Sequence, residues 1–137
     1  MAEQQPIRIL LIEDDDISIF LFKRVVFLRW PDIHIDVCRS GRSAMKALAD
    51  PRTTLPNVIV ADLEMPIMGG FEFISEFKKS PVYFSHNIQL VIATSSLQQE
   101  DRELARALNV SHYLVKPLTV ESLEPIIAIA QQPNAAH

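Results

Sequence analysis

Ile7-Arg8-Ile9-Leu10-Leu11-Ile12 runs straight into Glu13-Asp14-Asp15-Asp16. A nearly unbroken apolar run is what a strand needs when helices cover both faces of its sheet, because neither face can then be polar. The four acids fall at that strand's carboxyl end. The same pattern recurs three times: Val58 to Ala61 ends in Asp62, Leu90 to Ala93 ends in Thr94-Ser95, and Tyr113 to Val115 ends in Lys116-Pro117. A fifth segment, Ile33-His34-Ile35-Asp36-Val37, alternates apolar and polar residues and reads as an edge strand.

Between the strands lie stretches with helical periodicity, bounded by Pro, Ser, Asn and Gly: about 16–30, 42–50, 70–80, 98–108 and 122–131. Strand and helix thus alternate five times. That order implies an α/β, doubly wound five-stranded parallel sheet with five helices on both faces and right-handed crossovers. Ser96 and Gln99 have the spacing of a capping box, which places the fourth helix just after the fourth strand. A helix beginning at Thr119 would hold Pro125 in its interior at a cost of roughly 3 kcal/mol, so the last helix is expected to begin near Ser122.

The chain has 137 residues, is 48% hydrophobic and contains only three glycines, which suffices for one domain with a substantial core. We place that domain at 6–131, with short polar tails at 1–5 and 132–137. The single cysteine, Cys38, ends an apolar run and is expected to be a buried thiol, in keeping with a reducing cytoplasm. Net charge is −4 and basic residues occur only in short pairs such as Lys23-Arg24 and Lys78-Lys79, which argues against direct DNA binding. No apolar run is long enough to span a bilayer or resembles a signal-peptide core.

In a parallel sheet all strands end at one edge, and ligands bind outside that edge where strand order reverses. Glu13, Asp14, Asp62, Thr94 and Lys116 are therefore expected to converge. Two carboxylates about 4 Å apart repel by roughly 4 kcal/mol at an effective dielectric of 20, so the cluster calls for a cation. An all-oxygen site with room for water suits Mg²⁺, with Asp14 and Asp62 as direct ligands and Glu13 acting through water. A carboxylate beside such an ion can attack a phosphoryl group, with Lys116 and Thr94 as partners for the phosphoryl oxygens.

Four strings carry a resemblance: Ile9-Leu10-Leu11-Ile12-Glu13-Asp14-Asp15, Val60-Ala61-Asp62-Leu63-Glu64-Met65-Pro66-Ile67-Met68-Gly69-Gly70, Ile92-Ala93-Thr94-Ser95, and Tyr113-Leu114-Val115-Lys116-Pro117. Together they resemble the response-regulator receiver family of two-component signalling, over roughly residues 6 to 131. The resemblance implies a flavodoxin-like sheet order 2-1-3-4-5 and a phosphoryl group accepted on Asp62. It implies Mg²⁺ held by Glu13, Asp14, Asp62 and the backbone carbonyl of Glu64, and a cis Lys116-Pro117 bond. Thr94 and Tyr113 would couple phosphorylation to shape. Glu64 and Ser96 would set the lifetime of the phosphorylated state. A face formed by Ser18, Leu21 and Val25 would dock a histidine kinase or histidine phosphotransfer protein. The sequence departs from the family's common pattern at Gly69, where an Asp is frequent.

Each motif has a plainer reading. Glu13 to Asp16 suits a solvated turn with helix-capping acids, Asp62 a turn, Lys116 a surface lysine, and Tyr113 edge packing. The face of Ser18, Leu21 and Val25 also fits a dimer contact, so the chain is expected to be a monomer or weak homodimer. The four histidines lack metal-ligand spacing and are given no role.

The leading functional reading is a single-domain response regulator. It catalyses only its own phosphorylation and dephosphorylation, and its output is a contact with a downstream protein. The competing readings are a phosphorylation-independent binding module and an aspartyl-phosphate phosphatase. A flavodoxin-like electron carrier ranks last, because four acids in the first loop would repel the FMN phosphate.

Overall fold

The computed structural model describes residues 6–65 and 68–132. The tails at 1–5 and 133–137, His137 and the Pro66-Ile67 pair of the third-strand motif lie outside the described residues. The elements run β1 (Arg8–Ile12), α1 (Asp16–Arg29), β2 (His34–Cys38), α2 (Gly41–Ala49), β3 (Val58–Asp62), α3 (Gly70–Phe77), α4 (Pro81–Ser85), β4 (Gln89–Thr94), α5 (Gln99–Ala107), β5 (His112–Val115) and α6 (Val120–Gln131). All strand pairs are parallel, and the order is β2-β1-β3-β4-β5. The alternating segment, β2, is indeed an edge.

Two cores explain the unbroken apolar runs. Ile9, Leu11, Val58, Val60, Val91 and Ala93 face one side, where α1 and α6 cover them with Phe22, Val26, Leu123 and Ile126. Their neighbours Leu10, Ile12, Ile59, Ala61, Leu90 and Ile92 face the other, against Leu48, Phe73, Ile74 and Phe77 of α2 and α3. The period of two along each strand thus fills two layers instead of one.

Three helical boundaries differ from expectation. Among the described residues there are six helices, not five, because the stretch expected to be helical over 70–80 divides. α3 stops at Phe77, and Ser80 turns extended before Pro81, as a residue before proline must to avoid the ring. The Ser80 hydroxyl donates to the Phe77 carbonyl (2.7 Å) and accepts from the Tyr83 N–H (3.4 Å), ending one helix and starting α4.

The Ser96-Gln99 capping box does not form. Gln98 is the N-cap of α5, and the Ser96 hydroxyl instead donates to the Asp101 carboxylate at 2.6 Å, a stronger charge-assisted acceptor. The last helix begins at Val120, with Thr119 and Ser122 forming a reciprocal cap, so Pro125 does lie inside it. The missing N–H there leaves the carbonyl of Glu121, an exposed residue, to water. Burial of Leu123, Ile126 and Ile127, at about 1.5–3 kcal/mol each, outweighs the cost of the proline. Thr119→Ala is expected to lower stability by about 1 kcal/mol, read as a shift in the urea midpoint.

Candidate functional site

Glu13, Asp14, Asp62, Thr94 and Lys116 all stand at the carboxyl edge of the sheet. Glu13 follows β1 and is 2% exposed; Asp62 ends β3 at 6%, Thr94 ends β4 at 0%, and Lys116 follows β5. Ligand oxygens of Glu13, Asp14 and Asp62 lie within 4.8 Å of one another. The Lys116 ammonium reaches the Glu13 carboxylate at 2.6 Å and that of Asp62 at 3.4 Å. The Lys116-Pro117 bond is cis, as the resemblance implies.

The four-acid run divides its labour. Asp15 performs the plain helix-capping role: its carboxylate accepts the Ser18 N–H at 2.8 Å and opens α1. Glu13 is pinned by its own N–H donating to the Cys38 carbonyl (3.0 Å), while its second carboxylate oxygen accepts the Asp15 N–H at 3.2 Å. Asp16 turns outward and pairs with Arg39 at 2.5 Å. Only Glu13 and Asp14 remain for the pocket.

Arg39 is a residue that motif reading missed. Its guanidinium also donates to the Asp14 backbone carbonyl at 3.2 Å, tying the end of β2 to the loop that carries the acids. The available signal was position: Arg39 follows β2 at the same sheet edge, and the strand-end comparison omitted β2.

Burial and charge compete at Asp62. The carboxyl stands raised to about 6: burial pushes it up most, Lys116 pulls it down and Glu13 pushes it up. A backbone hydrogen bond from Glu64 helps hold the carboxylate. At Lys116, burial alone would lower the pKa, but the hydrogen bond to Glu13 and the charge of Asp62 outweigh it and the net direction is upward. Both responses are those of a lysine acting as counter-ion to two carboxylates.

Thr94 accepts the Ser96 N–H at 2.9 Å, and its carbonyl accepts the Lys116 N–H at 2.7 Å. Tyr113, on β5, stacks beneath the Arg102 guanidinium at 5.4 Å, and its buried hydroxyl has no partner among the described residues. The sequence reading left edge packing and a switching role open for this side chain. Cys38 is half-buried, and burial pushes its thiol pKa up, as suits an unreactive thiol.

Ser18, Leu21 and Val25 share the wall of one cleft of about 340 Å³ with Glu13, Lys116 and Pro117. The expected docking face therefore borders the Glu13–Lys116 side of the acidic cluster. Beneath the pocket, a Cβ added at Gly70 would stand 2.7 Å from the Asp62 backbone oxygen, so α3 starts there only because Gly70 has no side chain. Gly70→Ala is expected to displace the Asp62 segment, lowering stability by about 1–3 kcal/mol in a thermal melt.

The donor set fits a hard dication: three carboxylates from two strand ends, all oxygen, open to solvent on the side of the exposed Asp14. The sequence matches the family described as response regulator receiver domain over residues 9–128. A probable methanogenesis regulatory protein, FilR2 of Methanothrix harundinacea, is 30% identical over 127 residues, covering 90% of this chain and 81% of that one. A crystal structure of a two-component response regulator from Legionella pneumophila superposes with a TM-score of 0.81 at 26% identity, over 91% of this chain and 98% of that chain. The Mn²⁺-bound form of response regulator Rcp1 superposes with a TM-score of 0.74 at 28% identity, over 90% and 91%. Other curated relatives are longer, and the chain spans 33% of one and 30% of another.

The chain belongs to the response-regulator receiver family of two-component signalling. Receiver domains bind Mg²⁺ through acidic residues and pair with histidine kinases or phosphotransfer proteins; Glu13, Asp14 and Asp62 are the cluster that could hold a metal here.

Proposed function

We propose that this chain is a phosphorylation-driven switch that takes a phosphoryl group onto Asp62 from a phosphohistidine of a sensor kinase or phosphotransfer protein. The observation that carries the reading is the convergence of Glu13, Asp14 and Asp62 within 4.8 Å, with the Lys116 ammonium 3.4 Å from Asp62.

One Asp62 carboxylate oxygen attacks phosphorus while the P–N bond to the donor histidine breaks; the imidazole leaves with a proton from solvent, and an acyl phosphate remains. Glu13, Asp14, Asp62 and the Glu64 carbonyl would hold Mg²⁺, which would supply neutralisation of the phosphoryl charge in a loose transition state. Lys116 exchanges its contact with Asp62 for a phosphoryl oxygen. Thr94 donates its hydroxyl to another, drawing its loop inward and letting Tyr113 turn, which changes the surface around α5 and β5. Glu64 and Ser96 flank the path of a hydrolytic water and set how long the state lasts.

The donor docks on the cleft of Ser18, Leu21 and Val25, whose wall also carries Glu13 and Lys116. The chain turns over no substrate other than its own phosphoryl group, acts in the cytoplasm and signals through a protein contact instead of binding DNA. Among the described residues, no helix is long and apolar enough to cross a membrane.

The test is incubation with Mg²⁺ and a small phosphoramidate donor, followed by intact-mass measurement. One phosphoryl adduct is expected, lost when the metal is chelated. Asp14→Asn is expected to weaken Mg²⁺ binding by roughly tenfold or more in calorimetric titration. An adduct that forms equally well in excess chelator would refute the site.

A further inference from the structure

We propose that two copies of this chain pair through the free edges of β2, antiparallel about Ile35, joining their two five-stranded sheets into one. The inference goes beyond the phosphoryl-transfer reading and does not depend on it.

β2 is hydrogen-bonded to β1 alone among the described residues, so its outer edge presents unpaired backbone groups. Which groups point outward follows from the ladder. The His34 N–H donates to the Ile7 carbonyl and the Cys38 carbonyl accepts the Glu13 N–H, both at 3.0 Å. Residues alternate along a parallel strand, so His34, Asp36 and Cys38 face β1 while Ile33, Ile35 and Val37 face away. The Ile33 N–H is already given to the Trp30 carbonyl at 3.2 Å. Free at the edge among the described residues are the N–H and carbonyl of Ile35, the N–H and carbonyl of Val37, and the carbonyl of Ile33.

A two-fold axis through Ile35 uses these groups in a self-complementary way. Ile35 of each copy exchanges both of its hydrogen bonds with Ile35 of the other, and each Val37 N–H donates to the opposite Ile33 carbonyl. His34 then lies across from Asp36 of the second copy, twice, in the pairing position where side chains approach closest. The stretch from Ile33 to Val37 has His34 and Asp36 placed symmetrically about the centre, so imidazole N–H and carboxylate meet when the strand is reversed. This donor–acceptor arrangement selects a second copy over an unrelated strand. Within one chain, Asp36 already accepts from His34 at 2.9 Å and Arg8 at 3.2 Å, and pairing extends that network across the seam.

The same axis accounts for the exposed aromatic residues on α1. Phe20 is 61% exposed and Phe27 is 66% exposed, and both line a groove of about 420 Å³ beside the β2 edge with Ile33 and Ile35. Apolar exposure on this scale on one helix marks a contact surface. Because the paired strands are antiparallel, so are the two α1 helices, and Phe20 of one copy meets Phe27 of the other. Lys23 and Arg24 stand between them, with stems long enough to cover the rings while their charges turn to water.

Sedimentation velocity on the full chain across a dilution series is expected to show a monomer–dimer equilibrium. Hydrogen exchange is expected to show Ile35 and Val37 amides gaining protection as dimer fills. His34→Asp sets carboxylates opposite Asp36 on both sides of the axis and is expected to weaken dimerisation by at least about tenfold. Adding Asp36→His, which exchanges the two side chains, is expected to restore it. Phe20→Ser combined with Phe27→Ser, at exposed positions that do not threaten the fold, is expected to weaken it likewise. A wild type that stays monomeric throughout, a dimer indifferent to His34→Asp, a side-chain-exchanged variant that fails to recover, or a dimer whose Ile35 and Val37 amides exchange freely would each overturn the proposal.

Discussion

Asp62→Asn is expected to reduce phosphoryl uptake by three orders of magnitude or more, at least about a thousandfold, because the amide is a far poorer nucleophile than a carboxylate. The same substitution is expected to stabilise the metal-free protein at about pH 7.5 by on the order of 2 kcal/mol. The folded pKa of Asp62, about 6, lies above the ordinary value of 3.8 because burial disfavours the charge. The native state therefore holds this proton more tightly than the unfolded chain does. The group's contribution to stability is full below pH 3.8 and is lost as pH rises through about 6. Asparagine carries no charge to bury, so the variant's advantage is expected at neutral pH and absent below about pH 4. Urea titrations of both proteins in chelator at the two pH values measure this. An advantage of equal size at both would show that packing, not charge, governs the position.

Lys116→Met is expected to destabilise the metal-free protein by about 2–4 kcal/mol at neutral pH. Removing one partner of a buried pair costs about 3–5 kcal/mol. The lower range applies because the Lys116 side chain is 25% exposed, although Glu13 and Asp62 are almost fully buried. Methionine keeps most of the stem's packing, so the loss isolates the ammonium. It is expected to shrink as pH falls through about 6, where Asp62 takes up a proton, and to shrink when Mg²⁺ is added, because a dication offers the carboxylates a replacement charge. Equal loss with and without metal would mean that Lys116 and the metal site are independent. Phosphoryl uptake is expected to fall as well, since no other cation described here lies within 4 Å of Asp62.

How far the chain could be read from its residues varied by feature. Strands were legible because burial on both faces leaves no polar position in Val58 to Ala61 or Leu90 to Ala93, and few other structures need such runs. The edge position of β2 was legible for the opposite reason: alternation at Ile33 to Val37 means one face meets water. Helix boundaries were less so. At Ser96 the hydroxyl had a choice between a backbone N–H and the Asp101 carboxylate, and spacing alone could not say which was nearer. At Pro125 a local rule about proline was outweighed by three core side chains whose burial is a tertiary quantity. The five residues of α4 are too few to show a period at all.

The site divides in the same way. Residue types at successive strand ends named Glu13, Asp14, Asp62, Thr94 and Lys116, because parallel strands must finish on one edge and oxygen ligands with a lysine among them have few other uses. Roles within the acidic run were closed to sequence, since Asp15 and Asp16 differ from Asp14 only in where the chain turns. Capping by Asp15 and pairing of Asp16 with Arg39 appear once α1 is set against β2.

The order of the residues thus determined the sheet, its direction and the chemical inventory of its edge, because hydrophobic periodicity and strand polarity are properties of the chain itself. Only the tertiary structure decided which carboxylate is buried, which is capped and which is paired. Those outcomes depend on distances between segments far apart in sequence, and electrostatic and hydrogen-bond energies fall steeply with such distances.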